Sequence, residues 1–167
     1  MFTLIELLVV IAVILILAGA TLAALGAARN KARLTHCLSN IRQIGQAVHM
    51  YANENQDLLP PCARLGPDLT YHLPSLRQAL LPHLDDERIY HCPADAGDVC
   101  LFADVGTSYE WNTFLSGRTI DRTTLTIAGL KLAPPMVADG ESFHGPRGRN
   151  YVFPDGRVVT TTDPLIE

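Results

Sequence analysis

Residues Phe2–Leu25 read FTLIELLVVIAVILILAGATLAAL, and this stretch decides the architecture. It carries a single charge, Glu6, close to its amino-terminal end. From Leu7 to Ala28 there are 22 uncharged residues. At 1.5 Å per residue such a run makes roughly 33 Å of helix, which matches a bilayer core. A lone carboxylate at the start of a membrane helix costs on the order of a few kcal/mol in lipid, so it calls for a partner. An α-ammonium group at or near residue 2 of a neighbouring subunit has the matching charge.

The same helix is expected to continue beyond the membrane. Leu34, Cys37, Leu38, Ile41, Ile44, Gly45, Val48 and Tyr51 recur at three- and four-residue steps and form an apolar stripe. Arg33, Asn40, Arg42, Gln43, Gln46 and His49 occupy the other faces. The stripe runs out at Asn53-Glu54-Asn55-Gln56-Asp57, and Pro60-Pro61 forbids continuation. The chain therefore divides into a transmembrane helix half at 1–28, an amphipathic half at 29–57 and a globular head at 58–167.

Charge is split along these divisions. Residues 29–50 carry Arg29, Lys31, Arg33 and Arg42 and no acid, whereas residues 51–167 carry nine bases against sixteen acids. A basic neck under an acidic head suits contacts between stacked subunits, or anionic headgroups touching the neck; a solvated helix face explains it equally well. Nucleic acid is a poor partner for an acidic head in a chain of pI near 5.8.

Within the head, Pro74 to Leu81 supports a short helix stopped near Pro82. Arg88–Pro93, Ser108–Asn112 and Pro135–Asp139 read as short extended segments. The clearest hairpin joins Asn150–Phe153 to Arg157–Thr161 through Pro154-Asp155-Gly156. Its alternation sets Tyr151 and Phe153 against Val152, so the two aromatic rings are expected on the helix, with Val158 across the turn. The fold class is α+β, a long amino-terminal transmembrane and amphipathic helix with a small β-rich head packed on its second half.

Cys37, Cys62, Cys92 and Cys100 all follow the anchor. An even count beyond a membrane span fits disulfides in an oxidising compartment, with three possible full pairings. Zinc is the weaker reading, because there is no C-x2-C and His91-Cys92 lacks a second close pair. Asp139, Glu141, His144 and Asp155 form the one group of ligand-like composition. Asp155-Gly156 is more simply the hairpin turn, where Asp bonds its own backbone and Gly supplies a positive φ. Asp85-Asp86-Glu87 reads as a solvated loop, and Trp111 with Tyr109 and Phe114 as core more than as a sugar-stacking platform. No nucleophile–base motif, phosphate loop, H-E-x-x-H or dinucleotide fingerprint is present, so no enzymatic activity is expected.

At this point a resemblance becomes specific. F-T-L-I-E-L-L-V-V-I-A resembles the amino terminus of mature type IV pilins and of the pseudopilins of type II secretion. In those families a basic leader ending in Gly is cut before the Phe, the new amino group is methylated, and the acid four residues on pairs with it. The resemblance implies that Phe2 is the first mature residue, a substrate of a prepilin peptidase, and that Glu6 is the assembly acid. Here only Met1 precedes Phe2, while Arg29, Lys31 and Arg33 follow the span. The positive-inside rule would then place the amino terminus outside, the reverse of a pilin, so a leader is expected upstream. Ala23 stands where many relatives carry Pro.

The segments C-L-S-N-I-R-Q-I-G-Q, Y-H-C-P-A-D, S-Y-E-W-N and H-G-P-R-G-R-N-Y-V-F-P-D-G-R-V resemble, more narrowly, the planctomycete-type pilin-like family named for a carboxy-terminal His-x9-Asp-Gly signature. Here His144 and Asp155-Gly156 would form that signature, with ten residues between His and Asp. The family commonly carries cysteines at the positions of Cys37 and Cys92, which implies that pair and leaves Cys62 and Cys100 to each other; a Cys62–Cys92 link is the alternative. Major pseudopilins bind calcium in a carboxy-terminal loop, so calcium at Asp139 and Asp155 is the implied alternative to no cofactor. The function implied is a structural subunit of a type IV pilus-like or type II secretion pseudopilus filament. Its partners would be homologous subunits, the inner-membrane assembly platform and membrane lipid. The expected location is the inner membrane, with the amino terminus cytoplasmic and the head periplasmic. A minor tip pilin, or an anchored protein recognising a secreted substrate or surface ligand, is the alternative.

Overall fold

A capping box starts the first helix, α1 (Leu4–Glu54, 51 residues). Thr3 accepts the Glu6 N–H on its hydroxyl, and Glu6 reaches back to the Thr3 N–H. The computed structural model describes residues 3–97, 100–127 and 130–162, so Phe2 lies outside the described residues. α1 is about 76 Å long at 1.5 Å per residue. It ends where Asn55 donates from its backbone N–H to the Tyr51 and Ala52 carbonyls and from its amide to Tyr51 at 2.8 Å. Gln56 and Asp57 then turn through positive φ, and the two prolines follow.

The two halves of α1 behave differently. Leu4, Ile5 and Leu7–Leu17 project their side chains into solvent. Burial begins at Cys37 and recurs at Ile41, Ile44, Ala47, Val48 and Ala52, the face that carries the head. Asn40, expected on a polar face, is buried too, because its amide donates to the His91 carbonyl at 2.9 Å and ties the helix to the loop above it. Among the described residues no helix is long and apolar enough to cross a membrane.

The head combines short helices with antiparallel sheet, a mixed α+β arrangement. A second capping box, Ser75 with Gln78, starts α2 (Leu76–Leu80), which buries Leu76 and Leu80. Glu87–Tyr90 forms a 3-10 turn where an extended segment was expected, because the Asp86 carboxylate caps the Arg88 N–H at 3.0 Å. α3 (Leu101–Val105) follows. The main sheet has the order β1-β4-β5-β6 and consists of β1 (Tyr109–Trp111), β4 (Val137–Asp139), β5 (Arg149–Val152) and β6 (Val158–Thr161), all antiparallel. β2 (Leu125–Ile127) and β3 (Leu130–Leu132) form a separate hairpin. Neither α3 nor this hairpin shows in the sequence pattern, since each element is too short to display a period.

Pairing of Val137 with Val152, and of Val152 with Val158, sets the register on α1. The helix-facing residue of β5 is Val152, a correction to the expected aromatic face. Its Cγ2 would lie 2.7 Å from a β-carbon at Gly45, so the missing side chain on α1 is the notch that receives it. Tyr151 and Phe153 necessarily point the other way and pack with Ala138 and Val159 in a second, smaller cluster. Val158 does sit across the turn as expected, packed against the main core.

Candidate functional site

Two places concentrate polar chemistry, the amino-terminal cap and the junction between helix and head. At the cap, Glu6 Oε2 accepts from the Thr3 N–H at 2.8 Å and from the Thr3 hydroxyl at 2.7 Å. The carboxylate is thereby held over the first turn of α1, where the exposed N–H groups and the helix dipole favour negative charge. In the single chain Thr3 is its partner.

At the junction, Cys37 on α1 is joined to Cys92 by a disulfide spanning 55 residues. Both sulfurs are fully buried. The Cys92 N–H donates to the Ser108 hydroxyl at 3.0 Å, and that hydroxyl donates to Asp95 at 2.7 Å. Asp95 is buried and also accepts from the Leu101 and Phe102 N–H groups, so it caps α3 and braces the loop holding Cys92. No sequence motif pointed to Asp95. An acid six residues before Leu101 lies outside any capping spacing, and only the folded loop shows that three donors converge on it.

Cys62 and Cys100 are free thiols, which corrects the expected second disulfide. Cys62 is locked in the core, where burial pushes its thiol up to about 12. Cys100 lies at the start of α3 and contacts the Asp95 carbonyl at 3.5 Å.

His144 sits beside the disulfide. Its Nε2 is 3.8 Å from Cys92 Sγ and 3.6 Å from Asp139 Oδ2. Because both neighbours approach the same ring nitrogen, this is not a relay in which the imidazole passes a proton between its two ends. Cys37, Cys92 and His144 are also the one group of three His, Cys, Asp or Glu among the described residues close enough to hold a metal. The disulfide takes both sulfurs out of that set, since thiolates are the metal-binding form.

Asp139 and Asp155 are in different places, which corrects the calcium alternative. Asp139 is fully buried in β4 and accepts from the Asn150 N–H at 2.8 Å, while Arg149 bonds its carbonyl oxygen. Asp155 lies in the exposed turn, where it accepts from the Arg157 N–H at 2.9 Å. Glu141 is exposed in the loop between them. Arg64 and Arg149 both pair with Glu110 on β1. Tyr109 and Trp111 are buried, with the indole N–H on Ser116 at 2.9 Å, and Phe114 lies under the Arg118 guanidinium. The three aromatics therefore form no stacking platform.

Burial pushes the Asp139 carboxyl up to about 7, against the opposing pull of the Asn150 N–H and the Arg149 guanidinium. The folded chain then keeps a proton that the unfolded chain gives up at about 4, so stability falls as pH rises from about 4 to about 7. His144 is shifted down, first by burial and then by Arg147, and it works in the opposite direction, costing stability as pH falls below 6.5. The Asp139 effect is on the order of 2–4 kcal/mol and dominates. Thermal melts should show Tm declining across this range, and Asp139→Asn should remove the decline. A wild-type Tm that rises with pH, unchanged by Asp139→Asn, would contradict the burial argument.

A profile of a family described as a protein of unknown function (DUF1559; SBP_bac_10) matches residues 26–91. Over this segment the chain resembles a pilin-like family. The match takes in the neck of α1, α2 and the loops up to His91, and stops short of His144 and Asp155-Gly156. No curated protein matches the chain. No solved structure matches it either.

Proposed function

We propose that the chain is a structural subunit of a pilin-like filament, of the type IV pilus or type II secretion pseudopilus kind. The observation that carries this reading is the first half of α1. Leu4, Ile5 and Leu7–Leu17 leave a long apolar arm with no head packed on it, and the arm begins at an acid in the capping position. Such a surface is stable only in lipid or against other copies of itself. The uncharged run from Leu7 to Ala28 suits residence in the inner membrane before assembly, with the head in the periplasm. In the filament the arms pack into a core. Both capping bonds from Thr3 fall on Oε2 of Glu6, which leaves Oε1 to meet the ammonium group of a neighbouring Phe2. Pairing in that dry setting offsets the cost of burying the acid. His144 and Asp155-Gly156 belong, on this reading, to the signature hairpin of the planctomycete-type relatives, and the chain has a structural rather than an enzymatic role.

Glu6→Ala tests the proposal. The variant should reach the membrane in normal amount and lose at least about tenfold in fibre incorporation, the equivalent of about 1.4 kcal/mol or more of subunit interaction. Sheared fibres and membrane fractions, each quantified by immunoblot, give the two readouts. Normal fibre yield from Glu6→Ala would overturn the reading.

A further inference from the structure

A groove of about 540 Å³ opens where the neck of α1 passes the loop after β4. Asn30, Arg33 and Leu34 line it from the helix, and His144, Pro146 and Arg147 from the loop. Asn30 and Arg33 are three residues apart, so they share the helix face turned to the loop. Gly145–Arg147 forms a single 3-10 turn that carries Arg147 out to the rim. Both arginines are exposed, whereas the His144 side chain is closed off beneath them with its Nε2 turned to Cys92 and Asp139.

The arginines of this groove differ from most others in the chain. Arg64, Arg77, Arg88, Arg149 and Arg157 each lie against a carboxylate. Among the described residues neither Arg33 nor Arg147 has such a partner, and no acid lines the groove. The head, residues 58–167, has fourteen acids to nine bases, so this is not for want of carboxylates. Two arginines and an asparagine thus line one groove that no acid enters, and guanidinium forks with an amide are a donor set that recognises a phosphate. Arg33 also stands five residues beyond the end of the uncharged run at Ala28, level with the headgroups of a bilayer that contains that run.

We propose that this groove binds the phosphate of an anionic phospholipid headgroup, clamping the head against the membrane surface before assembly. The inference rests on the anchoring proposed above and adds a defined site to it. Arg33 and Arg147 make the phosphate contacts from opposite walls, and Asn30 supplies a further donor. Clamping fixes the angle between head and bilayer, and extraction of the subunit into a fibre must release the lipid.

The full-length chain reconstituted in nanodiscs tests this, with native mass spectrometry counting the lipids retained. From mixed discs of phosphatidylcholine and phosphatidylglycerol the wild type should retain phosphatidylglycerol preferentially. Arg33→Gln/Arg147→Gln should weaken that retention about thirtyfold, while Arg77→Gln, whose arginine is already paired with Glu87, should leave it unchanged. Equal retention of the two lipids, or full retention by the double variant, would overturn the site. Inorganic phosphate bound as tightly as phosphatidylglycerol by the detergent-solubilised chain would overturn the lipid assignment. Entry into pure phosphatidylcholine discs, together with equal retention of the two lipids from mixed discs, defeats the groove alone; failure to enter them defeats the anchoring reading as well.

Discussion

Replacing Cys37 with serine is expected to lower the unfolding free energy by about 4 kcal/mol. The disulfide closes a loop of 55 residues, and the chain-entropy relation for a loop of that length gives this magnitude. A small head with one thin core has little stability in reserve, so the loss is a large fraction of the whole. A serine hydroxyl in the fully buried position of Cys37 adds to it. The double variant Cys37→Ala/Cys92→Ala removes that hydroxyl and should still lose most of the stability. Trp111 is the single tryptophan and is 1% exposed, so its fluorescence reports unfolding of the core directly. Urea titration of the detergent-solubilised chain, oxidised and reduced, is the measurement. An unchanged midpoint after reduction would show that the helix and head hold together without the link.

Gly148→Ala should be comparably damaging, for a reason local to the backbone. Gly148 has φ +88°, and a β-carbon there would lie 2.2 Å from the Thr161 carbonyl oxygen and 2.8 Å from the Thr162 nitrogen. Those atoms belong to the end of β6 and the residue after it, so relief requires moving the strand that pairs with β5. Strain and overpacking together come to about 4 kcal/mol. Gly156→Ala is the matched control, since φ is +82° there but the space around its β-carbon is open. It should cost only about 1 kcal/mol. Equal losses from the two variants would mean that the dihedral alone matters and that β6 yields readily at Thr161.

What could be read without coordinates was the part governed by local pattern. The uncharged run, the stripe from Cys37 to Val48, the two prolines and the Pro-Asp-Gly turn each act within a few residues. They placed α1, its end and the β5–β6 hairpin close to where the structure has them. The arm at the start of α1 and the acid at its cap were legible for the same reason. The third strand candidate, Pro135–Asp139, also became β4, although a pattern of that length could not say what it pairs with.

The remainder depended on which surfaces meet in space. Periodicity indicates that Val152 opposes Tyr151 and Phe153, but only the notch at Gly45 decides which of the two faces lies on the helix. Asn40 looks like a surface residue until the His91 carbonyl is brought to it. His144 and Asp139 are five positions apart and meet beside Cys92 because β4 and the following loop fold back over the disulfide. Asp155, singled out by the same sequence pattern, stays outside on its turn. The groove between Arg33 and Arg147 joins segments more than a hundred residues apart. Local sequence determines helices and turns because their hydrogen bonds close within a few residues; pairing across the core depends on burial and complementary shape, which exist only once the chain has folded.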